Sequence, residues 1–174
     1  MEKKFILTDK FVINSFGIKL FQIKCTKSFK YAQKGDFGGY VEKEGNLDQE
    51  NDAWVSGDAR VSGNAWVSDN ARVSGNARVS GDAWVSGNAW VSGDADIEND
   101  NEHCGFDGFG SCNRHTHAYM TKEKKVEIIC GCFRGSIEEF EKKVEETYSG
   151  TVYEKQYKSI INVIKIKFGL TDFT

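Results

Sequence analysis

Residues able to do chemistry gather in two parts of the chain. Beyond residue 100 lie all three histidines, His103, His115 and His117, and four of the five cysteines, Cys104, Cys112, Cys130 and Cys132. Imidazole and thiolate together are zinc ligands, but no Cys-x-x-Cys knuckle is present. Cys130 and Cys132 stand two apart in what reads as a strand, which puts both side chains on one face, as in a packed sheet. Nothing around them resembles the elbow or dyad of a nucleophilic cysteine. The expectation is therefore no catalytic residue, no metal and no cofactor. Anion binding is the better-founded chemistry here. Ser111, Arg114, His115 and His117 precede Arg134, Gly135 and Ser136, and Ser136 opens a helix whose free N–H groups and positive dipole end favour a phosphate. The competing reading is that Ser136 only caps its helix, Arg134 pairs with a carboxylate and the histidines decorate a solvated strand.

The second gathering is of cations and aromatic rings. Of 23 basic residues only five are arginine, and three of them, Arg60, Arg72 and Arg78, share one segment with all four tryptophans, Trp54, Trp66, Trp84 and Trp90. Arginine at chosen positions in a lysine-rich chain indicates a use for a planar, stackable, bidentate cation. Copying within a duplicated array would produce the same distribution.

These side chains are positioned by a repeat. From Asn51 the chain runs NDAWVS, GDARVS, GNAWVS, DNARVS, GNARVS, GDAWVS, GNAWVS, GDADIE, a period of six held through eight units. In each Ala-x-Val triplet the first and third residues share one face and the middle residue takes the other. The Ala column from Ala53 to Ala95 and the Val column from Val55 to Val91, with Ile97, face inward. Ser, then Gly or Asp, then Asn or Asp turn the chain at a corner. Weaker units, Gly39-Tyr40-Val41 and Gly45-Asn46-Leu47, extend the array upstream with their glycines in phase with Gly57 and Gly63.

This pattern resembles the hexapeptide-repeat proteins. That resemblance implies a triangular left-handed parallel β-helix with three hexads per coil, usually assembled as a trimer. Residues 18 apart then stack at the ~4.8 Å spacing of neighbouring strands. One outward face carries Trp54, Arg72 and Trp90; a second carries Asp48, Trp66 and Trp84; a third carries Glu42, Arg60, Arg78 and Asp96. Such strips either bury against sister subunits or hold a planar ligand. Hexapeptide acyltransferases use a histidine, usually on a loop projecting from the coils. No histidine and no interrupting loop occurs in this array, which argues against that activity.

An open solenoid needs capped ends. Lys10 to Asn14 and Ile18 to Cys25 read as a hairpin around Ser15-Phe16-Gly17. Beyond the array, His115 to Met120 and Val126 to Phe133 read as strands, and two helices follow. Ser136 and Glu139 form a capping box for the first, with Ile137, Phe140, Val144 and Tyr148 on one face; Tyr153, Tyr157, Ile160, Ile161, Ile164 and Phe168 stripe the second. The expected organisation is mainly β: a hairpin cap over 1–38, the left-handed β-helix over 39–100, and an α+β subdomain over 101–174. The hairpin, the Gly35-Asp36-Phe37-Gly38-Gly39-Tyr40-Val41-Glu42 lead-in, the Trp- and Arg-bearing array and the Cys130-Gly131-Cys132-Phe133-Arg134-Gly135-Ser136 junction together resemble a group of small phage and prophage proteins.

Composition limits the function. The formal charge of −3 argues against general DNA binding, which needs a basic face. Mean hydropathy is −0.51 and no apolar run is long enough for a membrane span. Met1-Glu2-Lys3-Lys4 runs into Phe5-Ile6-Leu7 without the apolar core of a secretory signal, so the expected location is the host bacterial cytoplasm. The expected function is non-catalytic binding that antagonises anti-phage immunity, by sequestering a small phosphorylated (nucleotide) signal or by occluding a defence protein as anti-CRISPR proteins do. The expected assembly is a homo-oligomer, with a trimer favoured. A structural spacer and a hexapeptide-type acyltransferase are the alternatives.

Overall fold

The computed structural model describes residues 2–170 and divides into two units, Met1–Asp100 and Asn101–Thr174. The first unit begins with antiparallel β1 (Phe5–Ile13) and β2 (Lys19–Cys25). At their tip the Asn14 side-chain oxygen accepts the N–H groups of Phe16 and Ile18, at 3.0 and 2.9 Å, which fixes the turn without help from the rest of the fold. β3 (Phe37–Val41) then leads into the coils.

Each hexad makes one short strand: β4 (Trp54–Val55), β5 (Arg60–Val61), β6 (Trp66–Val67), β7 (Arg72–Val73), β8 (Arg78–Val79), β9 (Trp84–Val85), β10 (Trp90–Val91) and β11 (Asp96–Ile97). Every third strand pairs in parallel, giving β4-β7-β10, β6-β9 and β5-β8-β11. The result is a parallel β-solenoid of about three turns. Its interior is the expected one, since the Val column from Val55 to Val91, Ile97 and the Ala column are buried. Gly57 turns its corner at φ 66°, and Asp69 holds the equivalent corner of its own unit at φ 57°, a conformation that aspartate tolerates better than most side chains.

The first coil departs from the expected phase. Tyr40 pairs with Arg60, Val41 with Val61 and Leu47 with Val67, a spacing of 20 residues rather than 18. Val41 and Leu47 are large aliphatics, and burying them in the Val column outweighs keeping Gly39 and Gly45 at corners. The two extra residues are absorbed before Ala53, where the Asp48 carboxylate accepts from Glu50 N at 2.9 Å and from Asn51 Nδ2 at 2.7 Å. Glu42 and Asp48 therefore do not head the outward columns. The Glu42 carboxylate instead accepts the N–H of Gly63 at 2.7 Å.

β3 pairs with β2 on one side and β5 on the other, so hairpin and coils share a six-stranded sheet, β1-β2-β3-β5-β8-β11. The expected boundary at residue 38 falls inside β3.

The second unit is a four-stranded antiparallel meander, β12 (His103–Phe109), β13 (Arg114–Met120), β14 (Val126–Cys130) and β15 (Phe133–Ser136), followed by α1 (Ile137–Tyr148) and α2 (Val152–Lys167). The helices cover one sheet face through a core that includes Ala118, Ile128, Phe140, Tyr157, Ile161 and Ile164. The stretch expected as a single strand to Phe133 is broken at Gly131, φ 60°, so Cys132 lies in a turn and not beside Cys130 on a sheet face. Both helices begin as their residues demand: Ser136 Oγ accepts Glu139 N at 3.2 Å, and Thr151 Oγ1 accepts Glu154 N at 3.3 Å.

Candidate functional site

The three solenoid faces have different fates. On the first, Trp54, Arg72 and Trp90 stack in register, and the Arg72 guanidinium lies 4.8 Å from the Trp90 ring centre. The unit's own N-terminal segment covers the rest of this face. Phe29 meets Trp54 edge-on at 5.4 Å, Tyr31 stacks on Arg72 at 4.8 Å, and Trp54 is only 5% exposed. Beside them the Lys4 ammonium donates to the carbonyls of Asn51 and Ala53, and burial pushes its pKa down to about 8.

On the second face Trp66 and Trp84 stack with ring centres 5.3 Å apart and planes 25° from parallel. They stay 41% and 51% exposed, and Trp84 Nε1 is anchored to Ser68 Oγ at 3.2 Å.

The third face carries Tyr40, Arg60, Arg78 and Asp96 in that order. Arg60 and Arg78 are directly paired, and neither guanidinium makes a hydrogen bond or ion pair among the described residues. They line a cleft of about 390 Å³ whose other wall is the hairpin tip, Asn14 to Phe16 with Ile18 and Leu20.

In the second unit the seven residues expected to hold an anion separate onto two sides of the sheet. Strand alternation places His115 and His117 with Arg134 on one side and Arg114 on the other. Arg134 forks onto the Glu127 carboxylate, Nε to Oε1 at 2.7 Å and Nη2 to Oε2 at 3.3 Å. At the start of α1 the Ser136 N–H donates to Glu139 Oε2 at 2.8 Å, and a side chain at Gly135 would meet that same oxygen. The protein's own carboxylates thus engage the donors that the sequence offers to a phosphate. Ser111 Oγ lies 3.2 Å from Tyr148 Oη, and Arg114 borders a small cleft of about 120 Å³ with Cys130, Cys132, Tyr148 and Tyr157.

The histidines form a chain. His103 Nδ1 is 3.2 Å from His117 Nε2, His115 Nδ1 is 2.8 Å from Asp107 Oδ1, and the His115 and His117 rings meet edge-on at 5.7 Å. Among the described residues no group of three or more His, Cys, Asp or Glu is arranged to hold a metal ion. Burial, reinforced by the imidazoles of His103 and His115, keeps the pKa of His117 well below the ordinary histidine range. The unfolded chain takes up a proton near pH 6.5 that folded His117 refuses, so stability holds above that pH and falls below it, by up to about 1.4 kcal/mol per pH unit. Thermal melts between pH 6.5 and 5 should show this slope in the wild type and a smaller one in His117→Gln; equal slopes would remove His117 as the cause.

Sequence reading missed two features of these sites. The covering of Trp54 and Arg72 by Phe29 and Tyr31 has no local signal. The isolation of the Arg60–Arg78 pair was hidden by the wrong phase of the first coil.

A model of the YdcK β-solenoid repeat matches residues 53–69, 67–81 and 71–87, all within the repeat array. No curated protein matches the chain.

Proposed function

We propose that this chain is a non-catalytic binding protein of phage type, a left-handed β-helix of hexapeptide repeats that works in the host bacterial cytoplasm and opposes immunity by occluding a defence protein. The observation that carries the reading is the Trp66–Trp84 pair. Two stacked indoles, each about half exposed on short paired strands, form a flat apolar strip whose geometry the coil fixes before any partner arrives. Exposed aromatic strips are characteristic of contacts between proteins, where tryptophan is enriched. A sister subunit is the other protein that fits such a strip, in the homotrimer that the hexapeptide resemblance implies.

Trp66→Lys combined with Trp84→Lys tests the reading, because both side chains point away from the core and the coil should keep its circular dichroism. The variant is expected to lose protection of phage in defended cells. A simultaneous fall in mass by light scattering assigns the strip to a homo-oligomer on which antagonism depends. Unchanged mass together with unchanged protection overturns the reading. A second reading, sequestration of a small phosphorylated ligand, draws support from the unpaired guanidiniums of Arg60 and Arg78.

A further inference from the structure

The geometry points to an oxyanion site in the cleft between the hairpin tip and the third solenoid face, where Arg60 and Arg78 hold the phosphoryl group of a small ligand and Phe16 covers its planar or apolar body. The inference rests on the ligand-holding reading and is independent of the Trp66–Trp84 contact.

Several observations converge on this cleft. Arg60 and Arg78 occupy directly paired positions on β5 and β8, about one strand spacing apart. Like charges in that relation repel and destabilise a sheet, yet among the described residues neither guanidinium has a carboxylate within ion-pair distance. The acid expected below Arg60 is absent from the column, since Tyr40 stands there and Glu42 is hydrogen-bonded to the backbone of Gly63. An anion bridging two such forks would remove the repulsion and gain charge-assisted, bidentate hydrogen bonds.

The cleft has the form of a ligand site. Its volume of about 390 Å³ lies within the ~300–1,000 Å³ of small-molecule pockets. Its apolar wall consists of Phe16, Ile18 and Leu20, and Phe16 is 86% exposed at the end of a turn that Asn14 pins from within. A ring held open to water on a pinned turn is a stacking platform with nothing stacked on it. Asp96 and Glu98 border the same cleft, with Asp96 next in the column beyond Arg78. Asp96 directs a phosphoryl group toward the Arg60 end and can accept from a hydroxyl or amino donor of the ligand. The chemical class is therefore a phosphate ester with a planar group and a hydrogen-bond donor, as in a nucleotide.

Calorimetric titration of the full chain with ADP, AMP, adenosine and inorganic pyrophosphate tests the assignment. Wild type is expected to bind ADP and AMP and not adenosine, with affinity falling as salt rises. Arg60→Gln and Arg78→Gln should each weaken binding about ten- to a hundredfold. Phe16→Ala should weaken the nucleotides and not pyrophosphate. Trp66→Lys with Trp84→Lys should leave every affinity unchanged. Without any ligand, Arg60→Gln should raise the melting temperature by roughly 1–3 °C, because it removes a like-charge pair and leaves Arg78 beside Asp96. Nucleotide binding that survives both arginine substitutions overturns the site while sparing the ligand-holding reading; failure of all four probes to bind overturns both.

Discussion

Val73→Asp is expected to abolish soluble protein. Val73 lies at the centre of β4-β7-β10, fully buried, with Val55 and Val91 as its register partners above and below. A carboxylate there finds only Val and Ala side chains, so it must be buried charged without a partner or be protonated. Protonating an ordinary carboxyl at pH 7 costs about 4 kcal/mol before any packing loss is counted, and burying it charged costs more. A domain of this kind is stable by about 5–15 kcal/mol in total, and a solenoid transmits a broken rung to its neighbours because each coil contacts only the next. Trp84→Asp, at an outward position of the repeat, should stay soluble with unchanged circular dichroism. A soluble Val73→Asp with a wild-type spectrum would reject the inward assignment of the Val column.

The sequence made the solenoid legible because a single constraint repeats. A narrow interior admits Ala and Val and little else, so the inward pattern survives through eight units and fixes which outward residues stack. Trp54, Arg72 and Trp90 meet at the expected spacing of 18 for that reason. In the first coil the corner-like glycines mislead, because they do not set its phase. Matching Val41 and Leu47 to Val61 and Val67 instead puts Gly39 in the Ala column and gives the observed register, while Gly45 lies exposed in the short helix Glu44–Asn46. Buried aliphatics are the stronger constraint, since a corner accepts Gly, Asn or Asp.

The second unit was legible where local rules act alone. Ser136 with Glu139 starts α1 as written, and the stripe from Tyr157 to Ile164 is the buried face of α2. β12 escaped because Gly105, Asp107 and Gly108 give it little strand preference, and its pairing with β13 supplies the order instead. The anion site expected around Arg134 and Ser136 depended on which carboxylates would arrive nearby. Glu127 reaches Arg134 across β14 and β15, and Glu139 reaches Ser136 through the capping box. The latter pairing is written in the capping motif itself, whereas the former becomes visible only once the strand register is known.

Gly39→Ala should lower the melting temperature by roughly 6–12 °C, about 3 kcal/mol at 2–4 °C per kcal/mol for a chain of this size. Gly39 does not need glycine for its backbone dihedrals. It needs the space, because an added Cβ would lie 2.6 Å from the carbonyl oxygen of Ala59 and 2.8 Å from Val55 Cγ1. The oxygen cannot retreat cheaply, since it accepts the N–H of Tyr40 at 2.9 Å in the bond that joins β3 to β5. Gly38 is equally tight, with Ile23 Cγ1 at 2.5 Å and Val55 O at 2.6 Å, so the Gly38-Gly39 pair is where β3 packs tightly against β2, β4 and Ala59. Gly45→Ala is the control: Gly45 lies exposed in the short helix Glu44–Asn46 of the same coil, and an added Cβ there meets nothing within 4 Å. Its melting temperature should stay within about 2 °C of wild type. Equal losses from Gly39→Ala and Gly45→Ala would mean that the close approach of β3 to Val55 and Ala59 is not what Gly39 serves. A large loss confined to Gly39 would tie the hairpin that carries Phe16 to the coil that carries Arg60, and so fix the width of the cleft between them.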